Sequence, residues 1–544
     1  MTKFLWGVVL LITLSTVGEG NTSPNRACNP DDLKGLTSFK AGIHVDTSDR
    51  LATWVGSDCC AWDGITCDSR TGRVTEINLP GFMTKDDAPF DAWMEGSLSS
   101  KITLISFLEV LHLGGYSGLS GKIPKLIGFR LPKLRKLYLY QNSLTGPIPE
   151  SIGKLSNLEE LFLPGNKFSG AIPSSIGSLK NLSSLQLYSN RLSGCMPDSL
   201  ASLTNLVHLN LNSNSLTGHI PQRIGQLQVL QDLDLSNNLL SGKLPPSMAN
   251  LSAIQVVWLD TNFLKGPIPF PSSSAKMTSL RLLRLQNNRL IGKIPPNFGD
   301  LVSLEVAFLS NNKLEGEIPK SIGQLSHLAY FNISHNMIQG SLPSEMSSLK
   351  NLNSLDLSFN RLRFSSVPKW FAELPVSRIS LASCGIQGQI PELLRTIPTL
   401  IQELDLSANN LTGSIPTWIG DGKFAQALYS LNLSNNSLVS KIPDSIANLQ
   451  RLILLDLHAN KLASNLPEAL GNLSMLETLE LQQNRFFGKI PYGFLKLRAL
   501  KTLNLSDNLM EGKIPEGKPL SDFPKGSYSG NNGLCGKPLA PCKA

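Results

Sequence analysis

Eight cysteines carry the plainest reactive chemistry in this chain: Cys28, Cys59, Cys60, Cys67, Cys195, Cys384, Cys535 and Cys542. The first twenty residues say which chemistry that is. Lys3 precedes an apolar run from Phe4 to Leu14, and small residues follow to Gly18 and Gly20. That is the pattern of a secretory leader cleaved near Gly18 to Gly20, and secreted thiols become disulfides rather than metal ligands. Cys535 and Cys542 close the chain and are expected to bond to each other. The first four cysteines allow three connectivities. A vicinal Cys59–Cys60 bridge would be strained, because Cα atoms across a trans peptide lie only about 3.8 Å apart, which leaves two options.

The other reactive side chains form no catalytic set. The seven histidines build no HExxH pair, and neither a phosphate loop nor a kinase signature is present. Gly530, Gly533 and Gly536 have the spacing of a phosphate-binding loop without its strand and helix, so they read as turns. Asp405 and Asp456 could stand as a glycosidase carboxylate pair, but each is the middle residue of Leu-Asp-Leu and reads as filler. No enzyme activity, cofactor or metal is expected. Lys plus Arg total 49 against 41 Asp plus Glu, a net charge of +8, interleaved without a basic run. Nucleic acid is therefore not an expected partner. No later segment has the 18 or so uninterrupted apolar residues of a membrane span, so no integral membrane anchor is expected.

The elements that must position these residues come from a repeat. From about residue 74 the phrase LxxLxLxxNxLxGxIPxxLxxLxx recurs. Its asparagines are Asn142, Asn166, Asn190, Asn214, Asn238 and Asn262, each 24 residues from the last, then Asn288, Asn312, Asn336 and Asn360. Cys384 takes the next place, and Asn409, Asn436, Asn460, Asn484 and Asn508 complete sixteen registered turns. Two irregular turns around Ile77 and Leu111 bring the number to about eighteen. LxL alternation predicts a short strand with its leucines pointing inward. One coil cannot bury them alone, so neighbouring coils must stack on it. The asparagine amide satisfies backbone groups that stacking would bury. The segment Met83 to Met94 reads as a surface loop in a poorly regular first turn. Cys384 reads as a buried structural thiol. Cys195, in Gly194-Cys195-Met196-Pro197, lies eight turns from it and should not pair with it. It reads as inert, the alternatives being an exposed thiol or an intermolecular link.

The fold class is thus an α/β repeat solenoid, a leucine-rich-repeat coil with a parallel concave β-sheet and disulfide-capped ends. Residues 1–20 are the leader, 21–73 the N-terminal cap, 74–515 about eighteen repeats, and 516–544 the C-terminal cap. Three stretches resemble a known family. Residues 54–67 read WVGSDCCAWDGITC, the repeats carry GxIP as in Gly146-Pro147-Ile148-Pro149, and residues 528–542 read YSGNNGLCGKPLAPC. These are similar to plant extracellular leucine-rich-repeat proteins, such as receptor-like protein ectodomains and polygalacturonase-inhibiting proteins, with this chain as a soluble member. The resemblance implies Cys28–Cys59 and Cys60–Cys67 pairing, a right-handed superhelix and a second short strand near GxIP.

The outward strand residues should line the concave face. Lys136, Tyr138, Tyr140, Phe162, Gln186, Tyr188, His208 and Asn210 fall there, followed by Trp258, Arg284, Phe308 and Tyr330. Aromatics and arginine anchor interfaces, whereas consensus filler would be Asp, Asn, Ser or Thr. Asp356, Asp405, Asn432, Asp456 and Asn504 supply that filler further on. A partner is therefore expected between about residues 136 and 330. The expected partner is an extracellular protein or peptide: a receptor kinase ectodomain, or a microbial wall-degrading enzyme such as polygalacturonase. The alternative is cell-wall pectin, held by the positive charge. Sequons lie at Asn21, Asn181, Asn250, Asn332, Asn410, Asn432, Asn435, Asn472 and Asn504. Glycans at the mid-strand sites Asn332, Asn432 and Asn504 would obstruct docking, which again favours the earlier half. Secretion to the cell wall or apoplast is expected.

Overall fold

In the computed structural model, residues 28–85, 88–272, 277–362 and 366–542 are described. The expected leader and Asn21 lie outside them. Eighteen parallel strands, from Val74–Asn78 to Thr502–Asn504, form one continuous sheet among the described residues. Each pairs in register with the strand one turn on, so Leu137, Leu161 and Leu185 stand side by side. All three are fully buried. Ala307 lies beside Phe331 in the same inward row, and the small side chain leaves the volume that the large one needs.

The asparagine ladder works as backbone repair. Asn336 Nδ2 donates to the carbonyls of Leu309 and Ile333, both at 3.0 Å, and its Oδ1 accepts from Leu314 N at 2.9 Å. One side chain thus ties its own turn to the turn before it at two points. The residue before it, His335, takes a left-handed backbone with φ of 52°. Asn531 Nδ2 donates to Leu505 O at 2.9 Å and its Oδ1 accepts from Met510 N, so the ladder extends one rung into the C-terminal cap. Cys384 occupies its rung fully buried.

After each ladder residue a second short strand crosses the flank, as in Ser143–Gly146 beside Lys167–Gly170, where the resemblance implied one. The convex side is made mostly of single 3-10 turns such as Glu150–Lys154 rather than α-helices. About five residues after the GxIP proline leave no room for more. At Gly299 an added Cβ would lie 2.0 Å from the Ser321 carbonyl oxygen one turn on, so only glycine fits.

Both ends are closed. The helix Pro30–Ala41 is capped by Asn29 and packs on the 3-10 turn Ser100–Leu104. Its Asp32 is fully buried and accepts from Arg73 Nε and Nη2, both at 2.8 Å, and from Val74 N at 3.0 Å. Trp54 and Trp62 stack with ring centroids 5.3 Å apart. Strand Ile65–Cys67 pairs antiparallel with Val74–Asn78 and covers the sheet edge. Cys28 is bonded to Cys59, Cys60 to Cys67 and Cys535 to Cys542, which resolves the two options left open at the N-terminus. At the other end Gly533–Cys535 adds a last parallel strand to the flank.

The segment expected as a loop at Met83 to Met94 is instead an antiparallel hairpin, Phe82–Lys85 against Ala88–Asp91. Its base is pinned by Ala92 N on Gly81 O at 2.7 Å, and Met94–Ser97 pairs with Ile43–Asp46. With both ends held, the intervening chain folds back on itself. No helix among the described residues is long and apolar enough to cross a membrane.

Candidate binding face

The concave strands expose two residues each, and Tyr140, Tyr188 and their equivalents add a third row just beyond. All twelve residues expected at an interface stand in these rows, half-buried. In-register pairing places them. Lys136, Glu160, Ser184, His208 and Asp232 follow one another in the first row, and Tyr138, Phe162, Gln186, Asn210 and Asp234 in the second.

Toward the C-terminal end most of the second row is structural. The side-chain oxygens of Asp356, Asp405, Asn432, Asp456 and Asn504 each accept the backbone N–H two residues on, at 2.9–3.1 Å. Asp234 and Asn332 do the same. So does Asn210, which also accepts from Asn212 Nδ2 at 2.9 Å and is thereby committed to its own turn. Tyr138, Phe162, Trp258, Arg284 and Phe308 cannot make this cap. Each forgoes a hydrogen bond worth about 1 kcal/mol to present an apolar or cationic surface instead.

Those substitutions gather into two clusters. In the first, Phe162 lies edge-to-face with Tyr138, Tyr140 and Tyr188, with centroids 6.1, 5.3 and 6.5 Å away. His112, which the sequence did not single out, completes it at 5.1 Å from Tyr138. Its outward place in strand Val110–His112 was the available signal. Burial, with Arg50 nearby, pushes its pKa down to about 4, so it is neutral, and its ring nitrogens face Asn78 Oδ1 at 3.0 Å and Tyr140 Oη at 3.2 Å. The Tyr138 hydroxyl donates to Glu160, which also pairs with Lys136 at 3.2 Å. Burial raises the Tyr138, Tyr140 and Tyr188 phenols further above their usual range, so they remain protonated.

In the second cluster Trp258, Arg284 and Phe308 are adjacent in the second row. The Arg284 guanidinium lies 4.6 Å from the Trp258 ring centroid and 5.8 Å from that of Phe308. Between the clusters, His208 Nδ1 sits 2.6 Å from Asp232. Tyr330 lies in the first row beyond, beside Val306. Asp260 and Gln286, in the third row of the second cluster, also escaped the sequence pattern, because polar residues there look like ordinary repeat filler.

Several sequons can be placed. Asn332, Asn432 and Asn504 are half-buried on the concave sheet, and Asn181, Asn250, Asn410, Asn435 and Asn472 lie away from the strands or in flanking segments. Cys384 is buried, which pushes its thiol up to about 12, and Cys195 is exposed and unpaired on the flank strand Arg191–Cys195.

Family models agree with this architecture. A leucine-rich repeat region model matches residues 194–425, a leucine rich repeat N-terminal domain residues 29–68, and leucine rich repeats residues 426–486 and three segments within 133–203. The chain resembles the crystal structure of a TDR receptor with a TM-score of 0.66 and 31% identity, over 82% of this chain and 80% of that one. It resembles the Arabidopsis receptor kinase HAESA ectodomain, solved with an IDA peptide hormone, with a TM-score of 0.58 and 29% identity, over 93% and 98%. Among curated proteins, the receptor-like protein EIX1 of Solanum lycopersicum is 31% identical over 164 residues, 29% of this chain and 16% of that protein. The matched segments span well under half the length of such curated relatives. The chain belongs to the plant leucine-rich-repeat family, and its kin are receptor-like proteins.

Proposed function

We propose that this chain is a secreted, non-catalytic recognition protein that captures an extracellular protein or peptide on its concave face between about residues 136 and 330. The observation that carries this is the absence of the structural cap at Tyr138, Phe162, Trp258, Arg284 and Phe308, where ring or guanidinium surface stands in place of a hydrogen bond that most later turns keep. The disulfide caps suit an oxidising compartment, and the apoplast or cell wall is the place we assign. The similar HAESA ectodomain holds a peptide hormone, and a peptide, a receptor kinase ectodomain or a wall-degrading enzyme would all present a surface of this kind.

The test is affinity capture from apoplastic fluid with the purified glycosylated protein and its Tyr138→Ala/Tyr188→Ala variant. Wild type should retain a partner through about 0.5 M salt, and the variant should retain at least about tenfold less with an unchanged melting profile. Equal retention by both overturns the proposal. Elution by salt alone, from both proteins, would instead favour the pectin reading.

A further inference from the structure

The second cluster has a composition unlike its surroundings. On the strands Val256–Trp258, Leu282–Arg284 and Val306–Phe308, the first outward residues are the half-buried aliphatics Val256, Leu282 and Val306, adjacent in register. The second row there is Trp258, Arg284 and Phe308. Three polar atoms among these turns, Trp258 Nε1, Arg284 Nε and Gln286 Oε1, are buried and have no hydrogen-bond partner among the described residues. Buried polar groups are almost always paired in a folded chain, and two donors and one acceptor on neighbouring turns match what a peptide backbone offers.

Charge points the same way. The chain is net positive at +8, yet the outward residues of the concave strands hold nine carboxylates against three cations, Lys136, Arg284 and Arg378. Near the cluster stand Asp232, Asp234 and Asp260. Asp234 is engaged by Asn212 and Ser236, while the Asp260 carboxylate is met by its own backbone N–H and by a long 3.4 Å contact from Thr261 Oγ1. Burial of Asp260 raises its pKa to about 6, with Asp234 adding to the rise and Arg284 opposing it. A cation arriving beside it relieves that cost, whereas an acidic partner adds to it.

We infer that this part of the face takes an extended segment of the partner carrying a lysine or arginine beside apolar side chains. The cation lies against Asp260, the apolar groups rest on the aliphatic row, and the segment's backbone pairs with Trp258 Nε1, Arg284 Nε and Gln286 Oε1. This rests on the concave-face docking proposed above and gives it a partner chemistry.

Random dodecapeptides displayed on phage, selected against the intact glycosylated protein, test it. Recovered clones should carry Lys or Arg next to an apolar residue at least tenfold more often than Asp or Glu there. Trp258→Ala should recover at least tenfold fewer clones. Asp260→Asn should keep the apolar preference but lose the basic one, and as a near-isosteric change it remains informative should Trp258→Ala fold poorly. Neutral or acidic clones, an unchanged basic preference in Asp260→Asn, or no enrichment over bare support would each overturn the inference. Clones insensitive to Trp258→Ala but lost with Tyr138→Ala/Tyr188→Ala would overturn it while leaving concave docking intact. Clones insensitive to both would overturn both.

Discussion

Asp260 carries a burial cost that the hydrogen bonds in its own turn only partly relieve. Its carboxyl, ordinarily near 3.8, is pushed up to about 6 by burial. The native state therefore binds this proton more tightly than the unfolded chain does. Stability falls as pH rises between those two values and stays lower above them. Asp260→Asn removes the charge and should raise stability at pH 7.5 by about 1–2 kcal/mol, because each tenfold change in proton affinity is worth about 1.4 kcal/mol and solvent screens part of it. The gain should vanish near pH 4, where the native carboxyl is already protonated and the unfolded one is becoming so. Melting curves at the two pH values decide the matter, and an equal or lower midpoint for the variant at pH 7.5 would show that another group already relieves the buried charge. At this scale the sequence was a partial guide. Trp258 and Arg284 stood out because they break the filler pattern. Asp260 and Gln286 did not, because the burial of the one and the unpartnered amide oxygen of the other arise from neighbours a full turn of the coil away.

The element that repeats is a strand, a ladder asparagine and a flank strand, and its strength should depend on the asparagine. Asn336→Ala leaves three carbonyls and the Leu314 amide without their buried partner. A loss of about 2–4 kcal/mol is expected from such unsatisfied groups. Cys384→Ala should cost only about 1 kcal/mol, since its sulfur sits 3.5 Å from the Leu357 and Ala382 carbonyls and is a weak donor. Urea unfolding of both variants checks the order, and a larger loss at Cys384 would contradict the ladder's role. The ladder was legible because one side-chain type recurs where one backbone need recurs. The hairpin Phe82–Lys85 and Ala88–Asp91 was not, because it is held by its ends, through Gly81 and the strand Ile43–Asp46, rather than by a pattern of its own.

Across the whole molecule, turns touch only their neighbours, so damage at one end should stay there. Asp32→Ala leaves Arg73 partly buried without its carboxylate, a change that costs about 3–5 kcal/mol in comparable buried pairs. Amide exchange should rise over residues 28–112, while strands beyond Ser354 keep their protection. A uniform rise along the chain would mean that the solenoid unfolds as one unit. The same one-dimensional build lets the inner face be acidic while the chain as a whole is basic, since each turn contributes its outward residues independently.

The solenoid, its inward leucines, its ladder and the residues that face the concave side can all be read from the order of amino acids alone. Each follows from a period repeated often enough to leave one register. Stacking had to settle which of two cysteine pairings closes the N-terminal cap, which outward side chains are committed to capping their own turns, and which polar atoms are left buried without a partner. Those depend on distances between residues brought together across turns, and a 24-residue period sets the order of the turns without stating what adjacent side chains do to one another.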